Sequence, residues 1–359
     1  MHDLFDSMAQ HKHERLCLAS DAVSGLQAVI ALHNTMLGPA LGGVRLWQYD
    51  CEEVAIRDVL RLSEAMTYKA AVADLPFGGG KAVILADGKE QEPDLRVARF
   101  RAFGRFVESL GGCYITGPDV GTTPTDMATI KGVTGHVVGY PVELGGSGDT
   151  APMTAFGVLQ GMRALVEEVL GVGSLRSVRV AIQGLGSVGM NLAKLLVAQG
   201  AVVIGTDIRS EVVRQAKIHL PMEVVAPEAI YEVPAAIFAP CALGGVLNDR
   251  TIEHLSCQII AGGANCQLED DRHAELLLQH GIMYGVDYVL NAGGLINVAQ
   301  ELEGYDYQKA CQKVAHIYET VKRMLAISQA QQISTLAAAR QMAAEALQHP
   351  RTTGVSNYE

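Results

Sequence analysis

Two lysines and one aspartate in the first third of the chain have the residue types of an acid–base site. Lys81 follows three glycines in the stretch DLPFGGGKAVIL. A lysine after glycines suggests a phosphate cradle, but a P-loop needs G-x-x-x-x-G-K-[ST] between a strand and a helix. Here Ala82 follows the lysine, Leu75 stands where the first glycine belongs, and the stretch leads into an apolar, strand-like run. The phosphate reading therefore fails, and Lys81 is a lysine beside residues without side chains, where another backbone or a ligand can come close. Lys69 lies in a stripe at helical spacing with Val59, Leu62, Met66 and Ala73. Such a lysine either snorkels to solvent or loses hydration, and burial disfavours its charged form unless an anion pairs with it. Asp119, in YITGPDVGT, follows a short strand and a Gly-Pro turn, where an aspartate serves the turn or exchanges protons. If the three converge, the lysines lower each other's pKa, bind an anionic group, and one of them can act as a base near neutral pH.

A second constellation is Gly184-Leu185-Gly186-Ser187-Val188-Gly189, a G-x-G-x-x-G motif. A bare match is weak, but the apolar run VRVAIQ precedes it, a helical pattern follows, and the next strand-like run ends at Asp207. Gly184 makes the turn, Gly186 lets a pyrophosphate approach the backbone, and Gly189 lets helix pack on strand. The helix N-terminus offers N–H groups and a favourable dipole to the phosphates. A carboxylate at Asp207 accepts hydrogen bonds from a ribose and repels a 2′-phosphate, which favours NAD over NADP; Arg209 nearby weakens that preference.

The elements that must position these groups follow from the pattern. Residues 24–32 read as a strand, 52–73 as a helix, and 81–86 and 113–116 as short strands. GYPVELGGSGDTAP, residues 139–152, is rich in Gly and Pro and is the candidate hinge. A helix, then strand-turn-helix-strand through AVVIGTD, then the apolar runs AAIFAP and QIIAGG predict a doubly wound parallel sheet. The fold class expected is α/β with two domains. Residues 1–145 are expected to form an N-terminal α/β domain, and residues 146–329 a Rossmann-type domain. From about Tyr305 the chain is helical and Ala-rich, and its part after about residue 330 is expected to return toward the first domain.

The chain has 359 residues and a formal charge of -11, which gives no encouragement to a nucleic-acid surface. Seven scattered cysteines without C-x-x-C argue against a disulfide framework or a zinc site and fit a reducing cytoplasm. The N-terminus has no apolar signal region, and no apolar run reaches the ~20 residues of a membrane helix. No metal and no membrane partner is expected.

LGPALGGVRLW, MTYKAAVADLPFGGGKAVI, YITGPDVGTT, GLGSVG, APCALGG, AGGANCQL and YVLNAGGLINVAQELEGY occur in this order. Together they resemble the glutamate/leucine/phenylalanine/valine dehydrogenase family, most of all its members acting on leucine and phenylalanine. The resemblance implies NAD-dependent oxidative deamination of an L-amino acid to a 2-oxo acid and ammonia, in a homo-oligomer, octamer or dimer. It implies that Lys69 holds the substrate carboxylate beside the backbone of Gly42 and Gly43. Lys81 activates water as a base, and Asp119 exchanges protons with the amine. Asn265 lies near the substrate amino group and the cofactor, and Met66 near the substrate. Thr154 and Asn291 lie around the nicotinamide, and Cys241 and Ala242 beside the dinucleotide. The two domains are expected to flank a cleft that closes about the hinge. Cys266 departs from the pattern, since many relatives have a second asparagine there.

Glutamate-using members carry a lysine at the position of Leu41. Leu41 cannot pair with a second carboxylate, and burying one unpaired is costly. An apolar substrate is therefore expected, and the resemblance implies a pocket lined by Leu41, Gly117, Leu295 and Val298. Gly117 makes room and Leu295 takes some back, and a methylene is worth only about 1–3 kcal/mol of discrimination. Branched-chain amino acids, leucine first, are favoured, with phenylalanine or another aromatic next. A non-catalytic NAD sensor would not need the lysines, and a hydroxy-acid dehydrogenase would use a histidine for which His33 and His273 offer no local motif.

Overall fold

The computed structural model describes residues 4–89 and 92–348. They divide into two compact units, residues 4–149, 298–307 and 343–348 in the first and 150–297 with 308–342 in the second. These limits differ from those read in the sequence. The first break falls at 149/150, the chain rejoins the first unit at 343 rather than about 330, and it also visits that unit over 298–307. Helix Ile317–Gln331 belongs wholly to the second unit. The Ala-rich stretch has no turn signal at its change of unit, so sequence pattern gives no mark there.

The first unit holds a five-stranded sheet. Its strands are β1 (Arg15–Asp21), β2 (Leu26–Asn34), β3 (Ala40–Trp47), β4 (Gly78–Leu85) and β5 (Tyr114–Pro118), in the order β1-β2-β4-β3-β5. β3 runs parallel to β4 and β5, and the β1–β2 and β2–β4 pairs are antiparallel. The helices of this unit include α1 (Leu4–Gln10), α2 (Glu52–Val72), α3 (Pro93–Glu108) and α4 (Pro124–Lys131). Side chains alternate between the two faces of the sheet. Ile30, Val44, Ala82 and Ile84 pack with Phe100 and Phe103 of α3. Val29, Ala31 and Val83 pack with Ala55, Val59 and Leu60 of α2. Lys81, two residues before Val83, therefore faces α2. So does Arg45, which is one residue from Val44 and bonds Asp58 of α2.

The glycines Gly78, Gly79 and Gly80 already belong to β4, which the sequence reading started only at Lys81. β1, β3 and α3 are further elements beyond those expected from the sequence. In β3 the pair Gly42-Gly43 masks a strand, because glycine weakens strand propensity. The turn after β5 is fixed by a capping box on α4, in which Thr123 accepts from Asp126 N–H while Asp126 accepts from Thr123 N–H. Glu301 ties both ends of the Gly- and Pro-rich segment. Its Oε1 accepts the backbone N–H of Gly139 at 2.8 Å and of Ser147 at 2.7 Å.

The second unit has six strands: β6 (Arg179–Gln183), β7 (Val202–Thr206), β8 (Glu223–Val224), β9 (Ile237–Pro240), β10 (Ile259–Ile260) and β11 (Met283–Tyr284). All pairings are parallel, in the order β11-β10-β9-β6-β7-β8. This is the doubly wound order of a dinucleotide-binding sheet, and it reverses between β6 and β9. Helices α5 (Ala151–Leu170), α6 (Ser187–Ala198) and α7 (Ser210–His219) belong to it. No helix among the described residues is long and apolar enough to cross a membrane.

Candidate active site

Lys81 and Asp119 meet. Lys81 Nζ lies 3.0 Å from Asp119 Oδ2, with side-chain exposures of 5% and 13%. The same oxygen accepts Arg45 Nε at 2.9 Å. Arg45 Nη1 donates to Asp58 Oδ2 at 2.8 Å, and Tyr49 Oη donates to that oxygen at 2.7 Å. Burial pushes the Lys81 ammonium below its ordinary range, Asp119 opposes this, and Arg45 reinforces it. Burial alone would raise Asp119, but Lys81 and Arg45 outweigh it and hold the carboxyl at about 2. The pair thus combines an ionised carboxylate with an amine that sheds its proton more readily than a solvated lysine. A second lysine was expected to help depress Lys81; the cation seen acting on it is Arg45.

Lys69 is buried in α2, at 8% exposed. Met66, one turn before it, packs against Gly42, where an added Cβ would lie 3.4 Å from Met66 Cγ. A Cβ at Gly43 would lie 3.0 Å from Asp119 Cβ, and one at Gly117 would lie 3.3 Å from Val138 Cγ2. Leu41 is buried at 1% exposed, and Leu295 and Val298 are buried in the helix Gly293–Ala299. The clearance at the triple glycine is taken up by the protein itself. A Cβ at Gly78 would strike Asn34 O at 2.0 Å, at Gly79 Thr67 N at 2.1 Å, and at Gly80 the Tyr114 ring at 2.9 Å. These glycines let β4 nest against its neighbours, so of the two close approaches expected there, by backbone or by a ligand, the protein's own atoms make the one observed.

In the second unit the glycine turn has the shape its sequence requires. Gly184 has φ +92°, and a Cβ on it would lie 2.7 Å from Ala242 Cβ. A Cβ on Gly189 would lie 1.9 Å from Gly184 O and 3.3 Å from Cys241 Cβ. Gly186 is open: its Cβ would meet only Arg209 Nη2, at 3.6 Å. Ser187 begins α6 and is exposed, and Val188 packs on Gly263. Asp207 accepts Leu185 N–H at 2.9 Å and the Arg209 backbone N–H and Nε at 2.9 and 3.0 Å. Burial would raise its carboxyl, but the bonds from Arg209 and Leu185 bring it below the usual range. The turn, the open backbone and the buried carboxylate fit a dinucleotide.

Asn291 Nδ2 donates to Asn265 Oδ1 at 2.8 Å, and Asn291 Oδ1 is buried without a hydrogen-bond partner. Thr154 Oγ1 donates to Thr150 O at 3.0 Å beside Gly294. Cys241 Sγ receives Gly263 N–H at 3.5 Å, and burial pushes its thiol up to about 12, so it is a packing group.

Comparisons with known proteins show the family. Residues 12–136 match the Glu/Leu/Phe/Val dehydrogenase dimerisation domain, and residues 145–221 and 208–352 match the Glutamate/Leucine/Phenylalanine/Valine dehydrogenase family. The chain belongs to the Glu/Leu/Phe/Val dehydrogenase family. It is 46% identical to leucine dehydrogenase of Geobacillus stearothermophilus, covering 97% of this chain and 94% of that one. It is 44% identical to phenylalanine dehydrogenase of Caldalkalibacillus thermarum, covering 96% and 93%. The crystal structure of L-tryptophan dehydrogenase from Nostoc punctiforme superposes with a TM-score of 0.80 at 42% identity, covering 98% of this chain and 100% of that one.

In this member of the Glu/Leu/Phe/Val dehydrogenase family, Arg45, Asp58, Tyr49 and Val138 join the site unpredicted. Arg45 and Asp58 were within reach. Arg45 stands in the motif GGVRLW, and Asp58 precedes Leu62 and Met66 by four and eight positions on α2, so helical spacing aligns it with the stripe. Cys266 has φ +50°, a left-handed conformation that asparagine adopts more readily than other side-chain-bearing residues. The asparagine that the family resemblance leads one to expect at this position thus has a backbone reason. Cys266→Asn is expected to stabilise the protein by about 1 kcal/mol, read as a raised melting temperature; a lowered one would contradict the account.

Proposed function

We propose that the protein is an NAD-dependent amino acid dehydrogenase that interconverts an apolar L-amino acid with its 2-oxo acid and ammonia, leucine and other branched-chain substrates being preferred. The observation that carries this is the buried Lys81–Asp119 pair, 3.0 Å apart, in a chain of this family. Lys69 binds the substrate carboxylate, with the Gly42 and Gly43 backbone beside it. Asp119, ionised and acceptor-only, takes a proton from the substrate ammonium and returns one to the departing amine. When bound, NAD supplies the hydride acceptor for the Cα hydrogen. The substrate is left as an imine, and Lys81 removes a proton from the water that adds to it. The Gly184–Gly189 turn and the α6 N-terminus would hold the pyrophosphate, and Asp207 the adenine ribose. Asn265, Asn291 and Thr154 would lie at the nicotinamide end, and Cys241 and Ala242 beside the turn. The match to a dimerisation domain supports a homo-oligomer.

Leu41 supports an apolar side chain, since nothing at that position pairs with a second carboxylate. A second reading, an aromatic substrate, rests on Gly117, which puts no side chain at a position the family resemblance implies for the pocket; a Cβ there would crowd Val138 Cγ2 at 3.3 Å. Measuring kcat/KM for Leu, Val, Ile, Phe, Trp and Glu with NAD and NADP tests both. Leucine is expected to lead; phenylalanine or tryptophan in front would give the second reading, and no NADH from any of them would overturn the proposal. Asp207→Ala is expected to lower kcat/KM with NAD about tenfold, the loss of roughly 1.5 kcal/mol of hydrogen bonding. It should also raise the NADP/NAD ratio, because Arg209 is released toward a 2′-phosphate. An unchanged ratio would show that Asp207 does not select the cofactor.

A further inference from the structure

The reacting pair sits at one end of a ladder of alternating charge. Asp119 Oδ2 is shared by Lys81 Nζ at 3.0 Å and Arg45 Nε at 2.9 Å. Arg45 reaches on to Asp58 Oδ2 at 2.8 Å, which also accepts the Tyr49 hydroxyl at 2.7 Å. The side chains of Arg45, Asp58 and Asp119 are 17%, 15% and 13% exposed. Charges this shielded from water act on one another more strongly than surface charges do. We propose that Arg45 and Asp58 are opposed positioning residues: Arg45 fixes the Asp119 carboxylate and places a buried cation beside the reacting lysine, and Asp58 partly neutralises that cation. The proposal rests on the dehydrogenase reading given above.

The signs follow from electrostatics. A cation at Arg45 disfavours the ammonium form of Lys81, while an anion at Asp58 favours it, and both influences point that way at Lys81. Two tyrosines face the ladder and are held neutral. Tyr114, from β5, donates to Gly42 O at 2.6 Å and is held neutral by burial. Tyr49 is likewise raised, by burial and by its bond to Asp58. Arg61 stands 3.5 Å from Asp58 on the solvent side, and Lys69 belongs to the same helix as Asp58. None of these changes in the variants below.

The test is the pH profile of kcat/KM for oxidative deamination in the full-length enzyme, comparing wild type with Arg45→Met, Arg45→Lys and Asp58→Asn. The limb on which activity rises with pH reports the base in its deprotonated form. The substrate's own amine titrates identically in all four proteins. Arg45→Met is expected to move the limb to higher pH, Asp58→Asn to lower pH, and Arg45→Lys to return it toward the wild-type position. A residue that merely braces the fold lowers activity evenly over pH and gives no opposed shifts. A limb that stays in place, or moves the same way in Arg45→Met and Asp58→Asn, overturns the proposal. A readout independent of turnover is the pH dependence of acetic anhydride labelling at Lys81, followed by peptide mass spectrometry. The same opposed shifts are expected there. Opposed labelling shifts in a protein that makes no NADH would overturn the dehydrogenase reading and keep the charge ladder. Normal turnover with no labelling shifts would do the reverse.

Discussion

Lys81→Ala is expected to lower kcat by about 10²–10⁴-fold, the range for loss of a positioned general base, and to leave NAD affinity nearly unchanged. The second half of that expectation follows from where the groups lie, since the glycine turn and Asp207 belong to the other unit. The fold should survive. Asp119 keeps Arg45 as a partner after Lys81 is removed, so no buried carboxylate is left without a cation. Lys81→Arg sharpens the result. A guanidinium keeps the charge and can still pair with Asp119, but with a pKa above about 12 it cannot give up its proton to serve as a base. If Lys81 only anchored Asp119, Arg would restore turnover; if it is the base, Arg should be as inactive as Ala. Steady-state kinetics with leucine, together with NAD binding by fluorescence titration, checks both halves. Near-normal kcat in either variant would refute the assignment.

Much of the site was legible because its motifs depend on backbone that only glycine supplies. GLGSVG announced its turn, and the structure gives Gly184 a positive φ and sets Gly189 against Gly184 O. The lysine stripe of α2 was legible because helical spacing aligns residues far apart in number. Arg45 escaped because its strand did. Gly42 and Gly43 interrupt the alternation that marks β3, and without that strand nothing says which way Arg45 points. Its partnership with Asp119 joins residues 74 positions apart, a distance across which no local pattern speaks. The unit boundaries escaped for a related reason, because the chain enters the first unit at 298 and again at 343 inside helices, where no turn signal marks the change.

The largest expected effect on stability is at the stretch with three glycines. Gly79→Ala adds a methyl 2.1 Å from Thr67 N and Oγ1 and 2.6 Å from Thr67 Cα. Those atoms include helix backbone, which cannot turn aside as the end of a long side chain can. Overpacking of a tight core costs about 1–3 kcal/mol, occasionally more, and a clash with backbone belongs at the upper end. For a compact unit of this size that corresponds to a fall of roughly 6–12 °C in melting temperature. Gly132→Ala is the control. Its added Cβ meets nothing nearer than Thr129 O at 3.4 Å, and its φ of -66° suits alanine, so it should melt with the wild type. Kinetics separates the two accounts of these glycines. If they cleared space for substrate, Gly79→Ala would raise KM and leave the melting temperature alone. If they let β4 nest under α2, the melting temperature falls first, and KM rises only as α2 shifts with Met66 and Lys69 upon it. A Gly79→Ala protein that melts like wild type would restore the substrate-clearance account.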